Sequence, residues 1–135
     1  MQQPVMSAES ATAAVEAVCR RLDGGILELH AGAKPASPDV DVASDGLLAR
    51  ISLPSPAFGV TNGTAQLLGV PLVGTVVQTG APTWARFRRA LTSGGTAELD
   101  ATVGPLDSDP DIVTAAAILQ LGSTASILGF SLSLG

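Results

Sequence analysis

At Gly24-Gly25 the spacing of apolar residues changes from a helical period to an alternating one. No single element carries both, so the chain must start with a helix and continue as strands. Upstream, Ala11, Ala14, Val15, Val18 and Leu22 recur every three or four residues and predict a helix over 7–22. Ser7 can accept from the first free N–H groups, and Glu9 suits the positive end of the helix. Arg20 and Arg21 fall in the last turn, where cations are favoured. Asp23-Gly24-Gly25 then stops the helix, because glycine accepts the left-handed cap conformation.

Downstream the period is two. Leu27, Leu29 and Ala31 alternate with Glu28 and His30. Leu47, Ala49, Ile51 and Leu53 follow the same rule until Pro54 and Pro56. Weaker runs cover 64–70 and 72–79. Ala85 and Phe87 alternate with Trp84, Arg86 and Arg88, and Ala97, Leu99, Ala101 and Val103 alternate with Glu98, Asp100 and Thr102. Thr92-Ser93-Gly94-Gly95 between them reads as a hairpin turn. Residues 112–121 fit a buried strand or a short helix, with strand preferred. Leu128, Phe130, Leu132 and Leu134 close the chain on one strand face. Many short strands with turn signals predict a mainly β chain, an antiparallel, jelly-roll-like β-sandwich over 7–135 with one N-terminal helix. Residues 1–6 have no fold signal. Val5 and Met6 make them an arm that orders on binding.

Composition narrows the function. Hydrophobic residues are 46 % of the chain, aromatics 3 % and charged residues 14 %, against roughly 25 % charged in ordinary soluble domains. Such a chain keeps a neutral surface or buries much of it against neighbours. The net charge of −5 argues against wrapping nucleic acid. The longest apolar run, Ala115 to Leu119, is far shorter than the ~18 residues of a membrane span. The N-terminus has no basic region followed by an apolar stretch, so no secretion signal is read. One cysteine, Cys19, permits no internal disulfide, and it reads as a small buried hydrophobe.

The candidate sites are few. His30 is the only histidine. It ends a strand with no nucleophile elbow in the chain, and it reads as a surface or interface side chain rather than a base. Asp107-Ser108-Asp109-Pro110-Asp111 has the alternating acids of a calcium loop. However, Ile112 and Ile118 stand where an EF-hand needs Gly and Glu, so it reads as a solvated turn. Asp39, Asp41 and Asp45 form a weaker acidic set within the Lys34–Asp45 loop, which reads as the most exposed part of the chain. Trp84, Arg86 and Arg88 share one strand face. That face is either a protein-contact hot spot or a wet face paired with Glu98 and Asp100, each such pair contributing about 0.2–1 kcal/mol. No catalytic, cofactor or metal residue emerges.

Four stretches occur in an order shared with a known group. Leu27-Glu28-Leu29-His30-Ala31-Gly32-Ala33-Lys34-Pro35 fits L-x-[IL]-[YH]-x-G-x-x-P. Leu47-Leu48-Ala49 and then Pro56-Ala57-Phe58-Gly59 fit LLAEL…PAFG. Gly80 to Phe87 loosely fits G-x-A-x-W-x-R-[IF], and Asp100-Ala101-Thr102-Val103-Gly104 fits D-x-x-V-G. Over roughly residues 15–134 the chain resembles short structural proteins of tailed-bacteriophage virions. That group often carries an aromatic where His30 stands. The resemblance implies a non-enzymatic protein assembled into a virion in the host cytoplasm, most simply a head decoration (cement) protein. Its partner would be the major capsid protein, and it would be a homo-oligomer, with a trimer favoured by analogy. A tail, neck or baseplate component is the alternative within the group, and a carbohydrate or host-recognition module lies outside it.

Overall fold

A computed structural model describes residues 7–40, 42, 46–61, 63–89, 97–105, 108 and 110–133. Helix α1 spans Ala8–Leu22. The Ser7 hydroxyl accepts from the Ser10 N–H at 3.1 Å, which caps its first turn as the sequence predicts. Its buried stripe is Ala11, Val15, Cys19 and Leu22. The two glycines that follow do different work. Gly24 takes the left-handed conformation, with φ of 69°. At Gly25 a Cβ would overlap the Arg88 carbonyl oxygen, so only glycine allows the chain to pass that close to its neighbour.

Nine strands follow: β1 (Ile26–His30), β2 (Leu47–Ser52), β3 (Phe58–Thr61), β4 (Thr64–Leu67), β5 (Leu72–Val76), β6 (Trp84–Arg88), β7 (Ala97–Gly104), β8 (Ile112–Thr114) and β9 (Thr124–Ser133). Their order in the sheet is β3-β4-β9-β5-β2-β1-β6-β7-β8, and β8 also pairs with β9. That last pairing closes β9, β5, β2, β1, β6, β7 and β8 into a barrel. The β3–β4 hairpin hangs on the far half of β9, where Ala65 lies opposite Leu132.

The chain is therefore mainly β with one helix. In place of two facing sheets, one sheet closes on itself, and β7 and β8 run parallel where antiparallel pairing was expected. Closure leaves β1, β2, β5 and β6 without free edges. Register puts Leu27, Leu29, Ala49, Ile51, Ala85 and Phe87 on the inner face, where all are buried. The Phe58, Phe87 and Phe130 rings meet with centroids 5.0–6.1 Å apart. Helix α1 lies over β3, β4, β7 and β9 and adds Val15, Cys19 and Leu22 to this core.

Two local expectations change. Phe58–Thr61 is a strand that the proline-based boundary obscured. Of residues 112–121, only Ile112–Thr114 is a strand; 115–118 are exposed, and Leu119 bridges back to Gly80. The arm at residues 1–6, the turn at 92–95 and Leu134 lie outside the described residues.

Candidate functional site

The residues that alternate with the core face outward from β2, β1, β6 and β7. Register lines them up across the four strands: Arg50 lies opposite Glu28, Glu28 opposite Arg86, and Arg86 opposite Asp100. Successive positions thus carry opposite charges. One pleat along, His30 lies opposite Trp84.

These side chains form one connected cluster. The Arg86 guanidinium grips Asp100 with a fork, Nε to Oδ1 at 2.8 Å and Nη2 to Oδ2 at 3.0 Å. Arg86 Nη1 also donates to the Val40 carbonyl at 2.8 Å, and Nη2 to that of Ser37 at 3.4 Å. The guanidinium carbon lies 5.5 Å from the Trp84 ring centroid, within cation–π range. On Trp84 stacks the His30 ring, with centroids 4.4 Å apart and planes 13° from parallel. His30 Nε2 sits 3.4 Å from Glu28 Oε1, and that oxygen accepts from Arg88 Nε at 2.8 Å. Burial opposes ionisation of Glu28. Hydrogen bonds from His30 and Arg88, with the positive charge of Arg88, outweigh it and bring the carboxyl down to about 2.

The contact face expected at Trp84, Arg86 and Arg88 is corrected by this geometry. The three do share a strand face, but Trp84 is 3 % exposed and Arg86 1 %. The Arg86 guanidinium is met by Ser37 and Val40 of the Lys34–Asp45 loop, a strap whose described residues Lys34, Ala36, Asp39 and Val40 are exposed as expected. Arg86 holds this strap across the barrel wall by the carbonyls of Ser37 and Val40. At its base the Ala31 N–H donates to Gly46 at 2.9 Å and the Thr83 N–H to His30 at 2.9 Å. Arg88 stays half-buried against Glu28. His30 ends β1 as expected, but at 3 % exposure it is neither a surface nor an interface side chain.

Little chemistry remains open to the cluster. One face of His30 is covered by indole, and its described hydrogen-bond partner is a carboxylate, not a hydroxyl or thiol. Among the described residues no three His, Cys, Asp or Glu side chains gather around a common point. Asp111 exchanges hydrogen bonds with Thr102, Oδ2 accepting from the Thr102 N–H at 3.0 Å and the Asp111 N–H donating to Oγ1 at 2.9 Å. Asp107, Asp109, Asp41 and Asp45 lie outside the described residues, as do Val5 and Met6. Burial, then Asp23 and Glu16, push the Cys19 thiol up to about 11, which keeps it protonated and unreactive at neutral pH.

A second feature escaped the reading by strand period. No charged side chain occurs between Arg50 and Arg86, and none after Asp111. Those segments supply β3, β4, β5, β8 and β9, which are contiguous in the sheet. One side of the molecule is therefore built from uncharged strands, and the charges collect on α1, the strap and the β2–β1–β6–β7 side. The signal was present in the sequence as a long charge-free run, but only the sheet order brings the two runs together. No protein-family model, no curated protein and no solved structure matches this chain.

Proposed function

We propose that the chain is a non-enzymatic structural protein of a tailed-phage virion, a head decoration protein that binds the major capsid protein as a homo-oligomer, a trimer by analogy with other cement proteins. One observation carries the reading. The residues behind the resemblance do architectural work: His30 and Trp84 stack, Arg86 ties Asp100 to the strap, Gly32 takes a φ of 92°, and Leu27, Phe58 and Phe87 fill the core. The polar groups that could have served a reaction hold the strap to the barrel instead. Such a protein acts by adhesion, and its uncharged side suits burial against neighbours.

Mixing the purified protein with undecorated heads of the source phage, then sedimenting the heads, tests the reading. Co-sedimentation saturating at a copy number set by the capsid lattice supports it. A number matching the tail or neck symmetry, or no binding to heads, refutes the head assignment.

A further inference from the structure

We propose that the gap between β7 and β9, just past the start of β8, is a strand-addition site for an extended segment of a different protein. Such a site does not depend on the virion reading above.

The gap follows from the lengths of three strands. β8 runs between β7 and β9 and pairs with both, but it has only three residues. It meets β7 at Val103 and Gly104, and it reaches along β9 only to Phe130. Beyond those points, among the described residues, β7 pairs with β6 alone and Ser131–Ser133 with β4 alone. Leu99, Asp100 and Ala101 therefore face Ser131 and Leu132 across an open slot of about 280 Å³. Asp111, bonded to Thr102, stands at its closed end. A strand holds its two neighbours about 9.5 Å apart, two ladder steps. Past the start of β8 the slot is therefore one strand wide. The described residues of the β7–β8 connection stay out of it, with Ser108 and Pro110 packed beside Gly104.

The edge of the slot fixes the kind of occupant. The Thr102 N–H points into the track of β8, where Asp111 Oδ2 accepts it at 3.0 Å. Alternate residues of a strand direct their N–H and C=O to the same side, so those of Asp100 point into the slot. An extended polypeptide presents donors and acceptors at the matching spacing. Side chains set its pattern. Leu99, Ala101, Phe130 and Leu132 belong to the core or pack on it, so the inward positions of an added strand are apolar. Asp100, Asp111 and exposed Ser131 line the outer side. Arg86 matches Asp100, whereas Asp111 has no ion-pair partner among the described residues. The outward positions therefore favour a basic residue. The chain's own basic strand segments, around Arg50 and from Arg86 to Arg88, are already paired on both edges, so the donor is a different protein.

Amide hydrogen exchange of the full chain, read by NMR, tests the site with two capped peptides. One is Val-Lys-Val-Lys-Val, and the other carries Glu in place of each Lys. In the free chain the Asp100 N–H should exchange readily, while that of Ala101, directed at β6, is protected. The Lys peptide at saturation should slow Asp100 exchange at least tenfold, and the Glu peptide should bind about tenfold more weakly. Ser131→Lys, at an exposed position of the slot, should weaken the Lys peptide about tenfold. Gln120→Lys, exposed before the opposite end of β9, should bind it as the parent does. Circular dichroism should be the same for all three chains. An Asp100 N–H already protected in the free chain would show that the chain fills the slot itself and would overturn the inference. Binding of neither peptide, equal binding of both, or Lys-peptide binding unchanged by Ser131→Lys would overturn it too.

Discussion

Replacing Arg86 with Met removes the guanidinium and keeps most of the side-chain volume. Its partner Asp100 is then left with a side chain only 3 % exposed and no fork to satisfy it. The carbonyls of Ser37 and Val40 lose their donors at the same time. Removing one member of a buried pair costs about 3–5 kcal/mol, because the remaining charge stays buried without compensation. Against a total stability of roughly 5–15 kcal/mol, that loss is large. Trp84, the only Trp, lies 5.5 Å from the guanidinium carbon and reports the change directly. Urea unfolding followed by its fluorescence should show Arg86→Met less stable by about 3–5 kcal/mol. Adding Asp100→Leu should recover much of the loss, since the uncompensated charge is gone. Proteinase K should cut Arg86→Met faster within residues 32–40, the segment whose Ser37 and Val40 carbonyls Arg86 holds. A loss under about 1 kcal/mol, the size expected of an exposed pair, would refute the burial argument. It would also restore the view of Arg86 as a surface contact.

Other expectations follow from the same geometry. Glu28 titrates at about 2 when folded against 4.5 when free, so its pairs contribute fully above pH 4.5 and are lost as pH falls toward 2. The stability gap between the parent and Glu28→Gln should shrink over that window, and a constant gap across it would show that the pairs carry no charge-dependent energy. Cys19 should not react with a thiol reagent at pH ~8 until the chain unfolds, as its raised pKa and burial require; rapid labelling of the native protein would contradict its place in the core. Gly25→Ala should destabilise by about 1–3 kcal/mol, because the new methyl meets the Arg88 carbonyl; a neutral melt would contradict that close approach.

The parts legible in the sequence are those set by near neighbours. Ser7, the apolar stripe and Gly24 specify α1 within a few residues of each other, and the structure returns it almost to the residue. Alternation likewise places Leu27, Leu29, Ala85 and Phe87 on the inner face. The β3–β4 hairpin was also legible, since Asn62-Gly63 is a strong turn signal and Gly63 has a φ of 78°. Barrel closure was not legible. It depends on β8, only Ile112–Thr114, pairing with both β7 and β9, and no local pattern encodes that choice. The strap was hidden for a different reason. Arg86 recognises backbone carbonyls of the Ser37–Val40 segment, and every residue type presents a carbonyl. A loop rich in Pro, Ser and Asp therefore looks solvent-facing in sequence even where its carbonyls hold a buried arginine.

A cryo-EM reconstruction of the particle proposed to carry this chain tests the central claim most directly, namely that the chain acts by contact while the Trp84–Arg86 cluster stays within the fold. The account predicts density for the barrel on the head shell. The Ser37 and Val40 carbonyls should still be held by Arg86, with Trp84 stacked on His30. Density only in the tail, or a lifted strap with Trp84 inserted into a neighbour, would contradict it.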